Sequence, residues 1–228
     1  MNESIHQARV VKSLTRDRHI RLSSLDASPL WDGVRRGHPH LDPEACACLT
    51  ELLSATALLQ GRTVFEERLQ LLVKGSGRAK AVVADSWPDG TIRGVLDLGS
   101  QDAGAWIAAP GVLQVMRSNA AGQPYIGNLE LVEGGIQVQV EHYLQNSEQI
   151  QASLTLWCDP GTGEAGGLLV EPLPGCPPAR LAATHSADDA GVWLVGGPGE
   201  PEGVEVKDGL QSSAARRAGN SAAEHRPV

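Results

Sequence analysis

Apolar residues recur at helical spacing over residues 43–60 of the chain. Asp42 is a favourable N-cap residue, Pro43 suits the first helical position, and Glu44 favours the positive end of the helix dipole. Gly61 follows as a C-terminal stop. We therefore predict a helix over Pro43–Gln60. Its predicted buried stripe consists of Leu49, Leu52, Leu53, Thr56 and Leu59.

Alternation of apolar and polar residues predicts strands elsewhere, as where Leu69, Leu71 and Val73 share one face. A short helix is predicted over Pro29–Arg36, and Trp87–Gly90 has the composition of a turn. These elements place the chain in the α+β class. The other predicted strands lie around Ile20 and Leu22, at residues 78–85 and 91–99, in a hairpin of Val112–Arg117 and Tyr125–Leu131, and in a hairpin whose strands end near Cys158 and Val170.

Residues 136–144 fit two patterns. Ile136, Val138 and Val140 alternate as in a strand, whereas Val140, Tyr143 and Leu144 fit one face of a helix. The pattern leaves both interpretations open.

Composition narrows the class of protein. Apolar residues make up 41% of the 228 residues, which suffices for a hydrophobic core. The net charge of −8 disfavours binding to nucleic acid, because the phosphate backbone is also negative. No run of about 18 apolar residues predicts a membrane span, and the polar start does not resemble a secretory signal. We expect a cytoplasmic location, with reduced cysteines.

Cys46 and Cys48 form a Cys-x-Cys motif, a spacing that can bind zinc or close a small redox loop. Within a helix, residues two apart point about 200° away from each other, so this pair would not share a metal. The remaining cysteines, Cys158 and Cys176, are not in a Cys-x-x-Cys motif. We predict packing roles for Cys46 and Cys48. A thiol sensor that links two chains is a further hypothesis, since a helix N-terminus can lower a thiol pKa.

His38, His40 and Asp42 would hold a metal only if the segment were extended and further ligands were nearby. A polar loop that leads to the helix cap is the favoured interpretation. For two other clusters, too, no catalytic or phosphate-binding role is predicted. Gly75, Ser76 and Gly77 are predicted to form a hairpin turn, and His185, Ser186 and Asp188 lie in a predicted loop that offers no scaffold for a catalytic triad.

Several motifs, in order along the chain, resemble the redox-regulated 33 kDa heat-shock chaperone family. The first block comprises Glu51–Leu59, Gly75–Gly77, Ala81–Val83 and Arg93–Val95. The second block starts at Tyr143, where Leu144 replaces the family's usual phenylalanine and Gln151 its usual proline. The resemblance covers residues 8–175, with nothing matching after Gly175. The matching residues of the second block are Tyr143, Ser147, Glu148 and Gln149.

The resemblance implies a compact domain with two stacked β-sheets and crossing helices. It divides the chain into a substrate-binding domain over residues 1–175, a degenerate linker over 176–197 and a disordered tail over 198–228, whose composition also predicts disorder. In the family, a C-terminal domain with a Cys-x-Cys and a Cys-x-x-Cys motif holds zinc and acts as a redox switch. No such pair of motifs follows Gly175. In the family, a linker covers the client surface at rest. The resemblance implies that residues 179–184 and 191–197, of which Trp193 is the largest, are the candidates for a remnant of that cover.

The leading functional hypothesis is an ATP-independent holdase that binds unfolded or partly folded proteins and lacks the zinc and cysteine switch. A diverged scaffold that binds one specific partner is the alternative, and an enzyme is the weakest hypothesis. No catalytic, cofactor-binding or metal-binding residue is predicted, and the client-binding residues are not identified. Neither nucleic acid nor a membrane is expected as a partner, while a homodimer is left open.

Overall fold

The structure, a computed structural model, describes residues 7–63, 67–100, 104–118 and 124–177. In these ranges the chain forms three helices and nine strands. In chain order they are β1 (Arg9–Leu14), β2 (Ile20–Asp26), α1 (Ser28–Gly37), α2 (Pro43–Gln60), β3 (Arg68–Lys74), β4 (Ala79–Ser86), β5 (Ile92–Leu98), β6 (Val112–Ser118), β7 (Tyr125–Glu130), α3 (Ile136–Ser147), β8 (Ser153–Cys158) and β9 (Ala165–Pro172).

The strands form two antiparallel sheets. The first sheet has the order β1-β2-β9-β8, and the second has the order β5-β4-β3-β6-β7. Helix α2 contacts strands of both sheets as well as α1 and α3. The hydrophobic core therefore surrounds α2, and the predicted α+β domain with two sheets and crossing helices is confirmed.

Helix α2 begins and ends as predicted. The side chain of Asp42 accepts a hydrogen bond of 2.7 Å from the backbone N–H of Ala45, and Gly61 is the C-cap. The predicted stripe of Leu49, Leu52, Leu53, Thr56 and Leu59 is buried. Burial extends beyond the stripe to 13 residues of α2, so the helix is enclosed on all sides. Their buried hydroxyls are satisfied within the helix, since Thr50, Ser54 and Thr56 donate to carbonyls four residues earlier.

Two glycines allow the sheets to approach α2 closely. A Cβ atom at Gly94 of β5 would lie 2.9 Å from Cδ1 of Leu49, and one at Gly167 of β9 would lie 2.8 Å from Cδ1 of Leu58. Both distances are shorter than van der Waals contact. Gly94 is the glycine of the Arg93–Val95 motif, so its place in the pattern has a packing explanation.

Most predicted elements are confirmed within one or two residues, but β1 was missed. Strand β1 lies at the edge of its sheet and is largely exposed, so its hydrophobic pattern is weak. The ambiguous segment is the helix α3. Gln139 fixes the start of this helix: it is buried, accepts from the N–H of Val132 and donates to the carbonyls of Val132 and Gly134.

Two predicted regions fall largely outside the described ranges. The linker over 176–197 is described only at Cys176 and Pro177, and none of the tail is described. These boundaries remain predictions. Within the described residues, no helix combines the length and the hydropathy that crossing a bilayer requires.

Candidate functional site

The cysteines of α2 lie in the core. Cys46 is fully buried and Cys48 is 5% exposed. Burial, together with the nearby charge of Glu51, raises the pKa of Cys48 to about 12. The predicted packing roles agree with this placement. An exposed thiol, which the sensor hypothesis requires, is found at neither position.

The polar loop before α2 has structural contacts. Nε2 of His38 lies 3.1 Å from the carbonyl oxygen of Gly94, and the rings of His38 and His40 meet edge to face with centroids 5.9 Å apart. Asp42 caps α2. These contacts tie the loop to β5 and to the helix N-terminus, as the polar-loop interpretation expects. The other cluster, His185, Ser186 and Asp188, lies outside the described residues.

The Gly75–Gly77 segment connects β3 and β4 as the predicted hairpin turn. It also supports the loop over residues 104–111. The Ser76 N–H donates to the Ala108 carbonyl at 3.0 Å, and the Ser76 hydroxyl donates to the Ala109 carbonyl at 2.7 Å. A Cβ atom at either glycine would collide with backbone oxygens of this loop. The two glycines therefore allow the loop to lie this close to the turn, and the hydrogen bonds of Ser76 hold it there.

The second family-like block contributes to a chain of buried ion pairs, which we call the Arg62 network. Arg62 pairs with Glu148 at 2.8 Å and also with Glu171, whose side chain is only 1% exposed. Arg21 pairs with Glu171 at 2.9 Å, and Arg117 pairs with Glu148. Since Glu171 lies on β9 and Arg117 on β6, the network joins the two sheets. Glu148 therefore has a structural role.

Large apolar side chains are exposed mainly on the edge strands. Each sheet has two edges, β1 and β8 in the first and β5 and β7 in the second. Eight large apolar residues are exposed in the described part of the chain. Seven of them lie on edge strands, and the eighth, Val138, lies on α3. The seven on strands are Val11, Leu14, Val95, Leu98, Tyr125, Ile126 and Trp157.

The four edges differ in protection. Gln137 and Glu141 of α3 accept hydrogen bonds from backbone N–H groups of β8. Strand β1 carries two basic residues, and β5 carries an arginine and an aspartate. Strand β7 has Glu130 as its sole charged residue and exposes Tyr125 and Ile126 by about half. We call Tyr125–Glu130 the β7 edge. In the part of the chain that the structure describes, it is the least protected of the four edges against strand addition.

A cavity of about 790 Å³, which we call the Glu51 cavity, lies beside α2. Its described lining includes residues of α2, of the loop over 104–111, of the turn before α3, and Pro160 between β8 and β9. Glu51 has no pairing cation in the described residues, and burial raises its pKa to about 7. Glu51 was not singled out from the sequence, although it is the sole charged residue between Glu44 and Gly61.

Comparison with known proteins places this fold in context. A model of the Hsp33 protein family matches residues 8–191. The 33 kDa chaperonin of Lacticaseibacillus casei (strain BL23) is 30% identical over 189 residues, covering 76% of this chain and 64% of that protein. The 33 kDa chaperonin of Rippkaea orientalis is 32% identical over 179 residues, covering 72% and 59%. The chain thus spans about three fifths of the length of these curated relatives.

A solved structure shares the fold. The crystal structure of the 33 kDa chaperonin (Heat shock protein 33 homolog) from Thermotoga maritima aligns with a TM-score of 0.61 at 24% identity, covering 73% of this chain and 61% of that chain. The family match also corrects the extent of the resemblance. It continues to residue 191, whereas the sequence motifs had placed its end at Gly175.

Proposed function

The chain belongs to the Hsp33 family, and we propose that it is an ATP-independent holdase that binds unfolded or partly folded proteins. The names of its relatives, 33 kDa chaperonins, support a chaperone function. The observation that carries the holdase proposal is the concentration of exposed apolar side chains on edge strands. An edge strand with exposed apolar side chains is a template for pairing with another chain.

The β7 edge is the surface we propose for clients. An edge strand presents unpaired N–H and C=O groups, which can bind an extended segment of nearly any sequence. Tyr125 and Ile126 add apolar contact to those backbone hydrogen bonds. Backbone pairing with adjacent apolar contact suits a chaperone, because it recognises the unfolded state rather than one sequence. Binding of this kind requires no nucleotide.

Replacing Tyr125 and Ile126 together with serine is expected to weaken suppression of aggregation. Each side chain is about half exposed, so its burial by a client contributes about 1 kcal/mol. The double variant should therefore need at least about ten times more protein for half-maximal suppression. Light scattering from a thermally unfolding client enzyme measures this concentration.

The matched control replaces Gln114 and Asn128, an exposed hydrogen-bonded pair on the same hairpin, with serine. This control should retain suppression within about twofold, since it removes no apolar surface. Equal suppression by the two double variants would contradict a role for the β7 edge. Absence of suppression by the unaltered chain, with a single stoichiometric partner in a pull-down, would instead favour a specific binding protein.

We further propose that this chain suppresses aggregation without oxidative activation. Three of the four cysteines are shielded from oxidants. Cys46 is fully buried, and burial together with the charge of Glu51 raises the pKa of Cys48 and of Cys158 to about 12. Thiols of such high pKa react slowly with peroxide, because the thiolate is the reactive form. Suppression measured in dithiothreitol and after peroxide treatment should agree within about twofold. Suppression that appears only after peroxide would refute the proposal.

A further inference from the structure

The Glu51 cavity combines a largely apolar wall with a carboxylate that lacks a partner. Trp106, Ile107 and Ile136 supply apolar surface, and Glu51 lines the cavity from α2. Among the described residues, Glu51 forms neither a hydrogen bond nor an ion pair. A desolvated carboxylate without a partner is unfavourable, and a bound cation would relieve that cost.

The charges around the cavity are one-sided. Glu44 and Glu133 also line it, whereas no lysine, arginine or histidine is found among the described lining residues. Arg78 offsets part of this charge from outside, because it pairs with Glu44 at 2.7 Å and stacks on Trp106. Glu51 and Glu133 are not paired in this way. The cavity is therefore complementary to a positive group.

The walls are held in position before any ligand arrives. Backbone hydrogen bonds of 2.9 Å from Arg78 to Ala105 and of 3.0 Å from Ala79 to Trp106 fix the loop that faces α2. The volume of about 790 Å³ lies within the range of about 300–1,000 Å³ that is typical of ligand sites. Binding would thus require little rearrangement.

We propose that the Glu51 cavity binds a lysine or arginine side chain of a client segment whose neighbouring residues are apolar. The cation faces Glu51, and the apolar neighbours pack against Trp106, Ile107 and Ile136. A protein segment suits the site better than a small amine, because a cation alone would leave the apolar wall in water. This inference rests on the proposed holdase function and adds a preference among clients.

The test uses a fluorescein-labelled peptide, Ser-Leu-Leu-Lys-Leu-Leu-Ser, and a twin with glutamine in place of lysine. Fluorescence anisotropy measures the affinity of each peptide for the full chain. The lysine peptide should bind about ten times more tightly, as expected for one charge-assisted hydrogen bond. In the Glu51→Gln variant this preference should fall to within about twofold. Asp32→Asn, an exposed site on α1, is the matched control and should retain the preference.

The pH dependence provides a second readout. Besides Glu51, the titratable groups that line the cavity are Glu44, Glu133 and Cys48, and Cys158 of β8 lies near Glu51. Both thiols have a pKa near 12 and stay protonated at neutral pH. Because the pKa of Glu51 is about 7, the affinity for the lysine peptide should rise up to about tenfold from pH 6 to pH 8. This rise should be absent in Glu51→Gln.

Three outcomes would overturn the inference. They are an equal lysine preference in the unaltered chain and in Glu51→Gln, no lysine preference in the unaltered chain, and binding of n-hexylamine as tight as that of the peptide. Suppression of aggregation is measured separately on the same protein. If suppression is absent while the Glu51-dependent preference persists, the holdase proposal fails and the cation site stands. If suppression is intact and the lysine preference is absent, the cation site fails and the holdase proposal stands.

Discussion

Replacing Arg62 with alanine is expected to lower the free energy of unfolding by about 3 kcal/mol, at the lower end of the range for breaking a buried ion pair. Arg62 is itself mostly buried and contacts both Glu148 and Glu171. Its removal leaves two carboxylates in the interior with one cation each, Arg117 and Arg21. These remaining pairs keep the expected loss at the low end of the range.

Urea denaturation of the variant and of the unaltered chain measures the loss. Arg36→Ala is the matched control, because Arg36 is exposed on α1 and should contribute less than about 0.5 kcal/mol. Similar losses for the two variants would show that the Arg62 network does not hold the two sheets together.

The effect of Arg62→Ala should depend on pH. Burial alone would raise the pKa of Glu148, but Arg62 and Arg117 outweigh it and hold the pKa below the ordinary value of 4.5. A carboxyl with a lowered pKa in the folded state stabilises above the unfolded pKa, and this stabilisation is lost as the pH falls through the folded value. The difference between the unaltered chain and the variant should therefore be larger at pH 7 than at pH 3.5.

Local signals account for the elements that the sequence predicted correctly. Asp42, Pro43 and Gly61 mark the ends of α2 because capping chemistry acts over one helical turn. The hairpins were also located correctly, because the alternation of apolar and polar residues and the composition of turns are local signals. The burial of α2 on all sides could not be inferred from the sequence. One face of the helix packs against the first sheet, whose strands come from both ends of the domain.

The candidate site depended on longer-range information. The exposure of Tyr125 and Ile126 follows from the position of β7 at the sheet edge, which the strand pattern alone does not give. Family resemblance pointed to Glu148, but its partners Arg62 and Arg117 are distant in sequence and were not linked to it. Glu51 did carry a local signal, as an isolated charge in an apolar helix.

Replacing Leu49 with alanine is expected to lower the free energy of unfolding by about 2–5 kcal/mol. Leu49 is fully buried at the centre of α2, and it packs where Gly94 leaves space in β5. The backbone of β5 cannot collapse freely into the vacated volume, because it is paired with β4. A cavity should therefore remain, with the cost that such cavities carry.

The control is Leu14→Ala on β1, where the side chain is 45% exposed and the expected loss is below about 1 kcal/mol. Gly94→Ala alone should also destabilise, by about 1–3 kcal/mol, since its Cβ would lie 2.7 Å from the Val83 carbonyl oxygen and 2.9 Å from Cδ1 of Leu49. In the double variant the added methyl group occupies part of the volume that Leu49 vacates, so the combined loss should be smaller than the sum. Additive losses in urea denaturation would mean that the cost of Gly94→Ala arises against the Val83 carbonyl oxygen, and that Leu49 and Gly94 do not determine each other's packing.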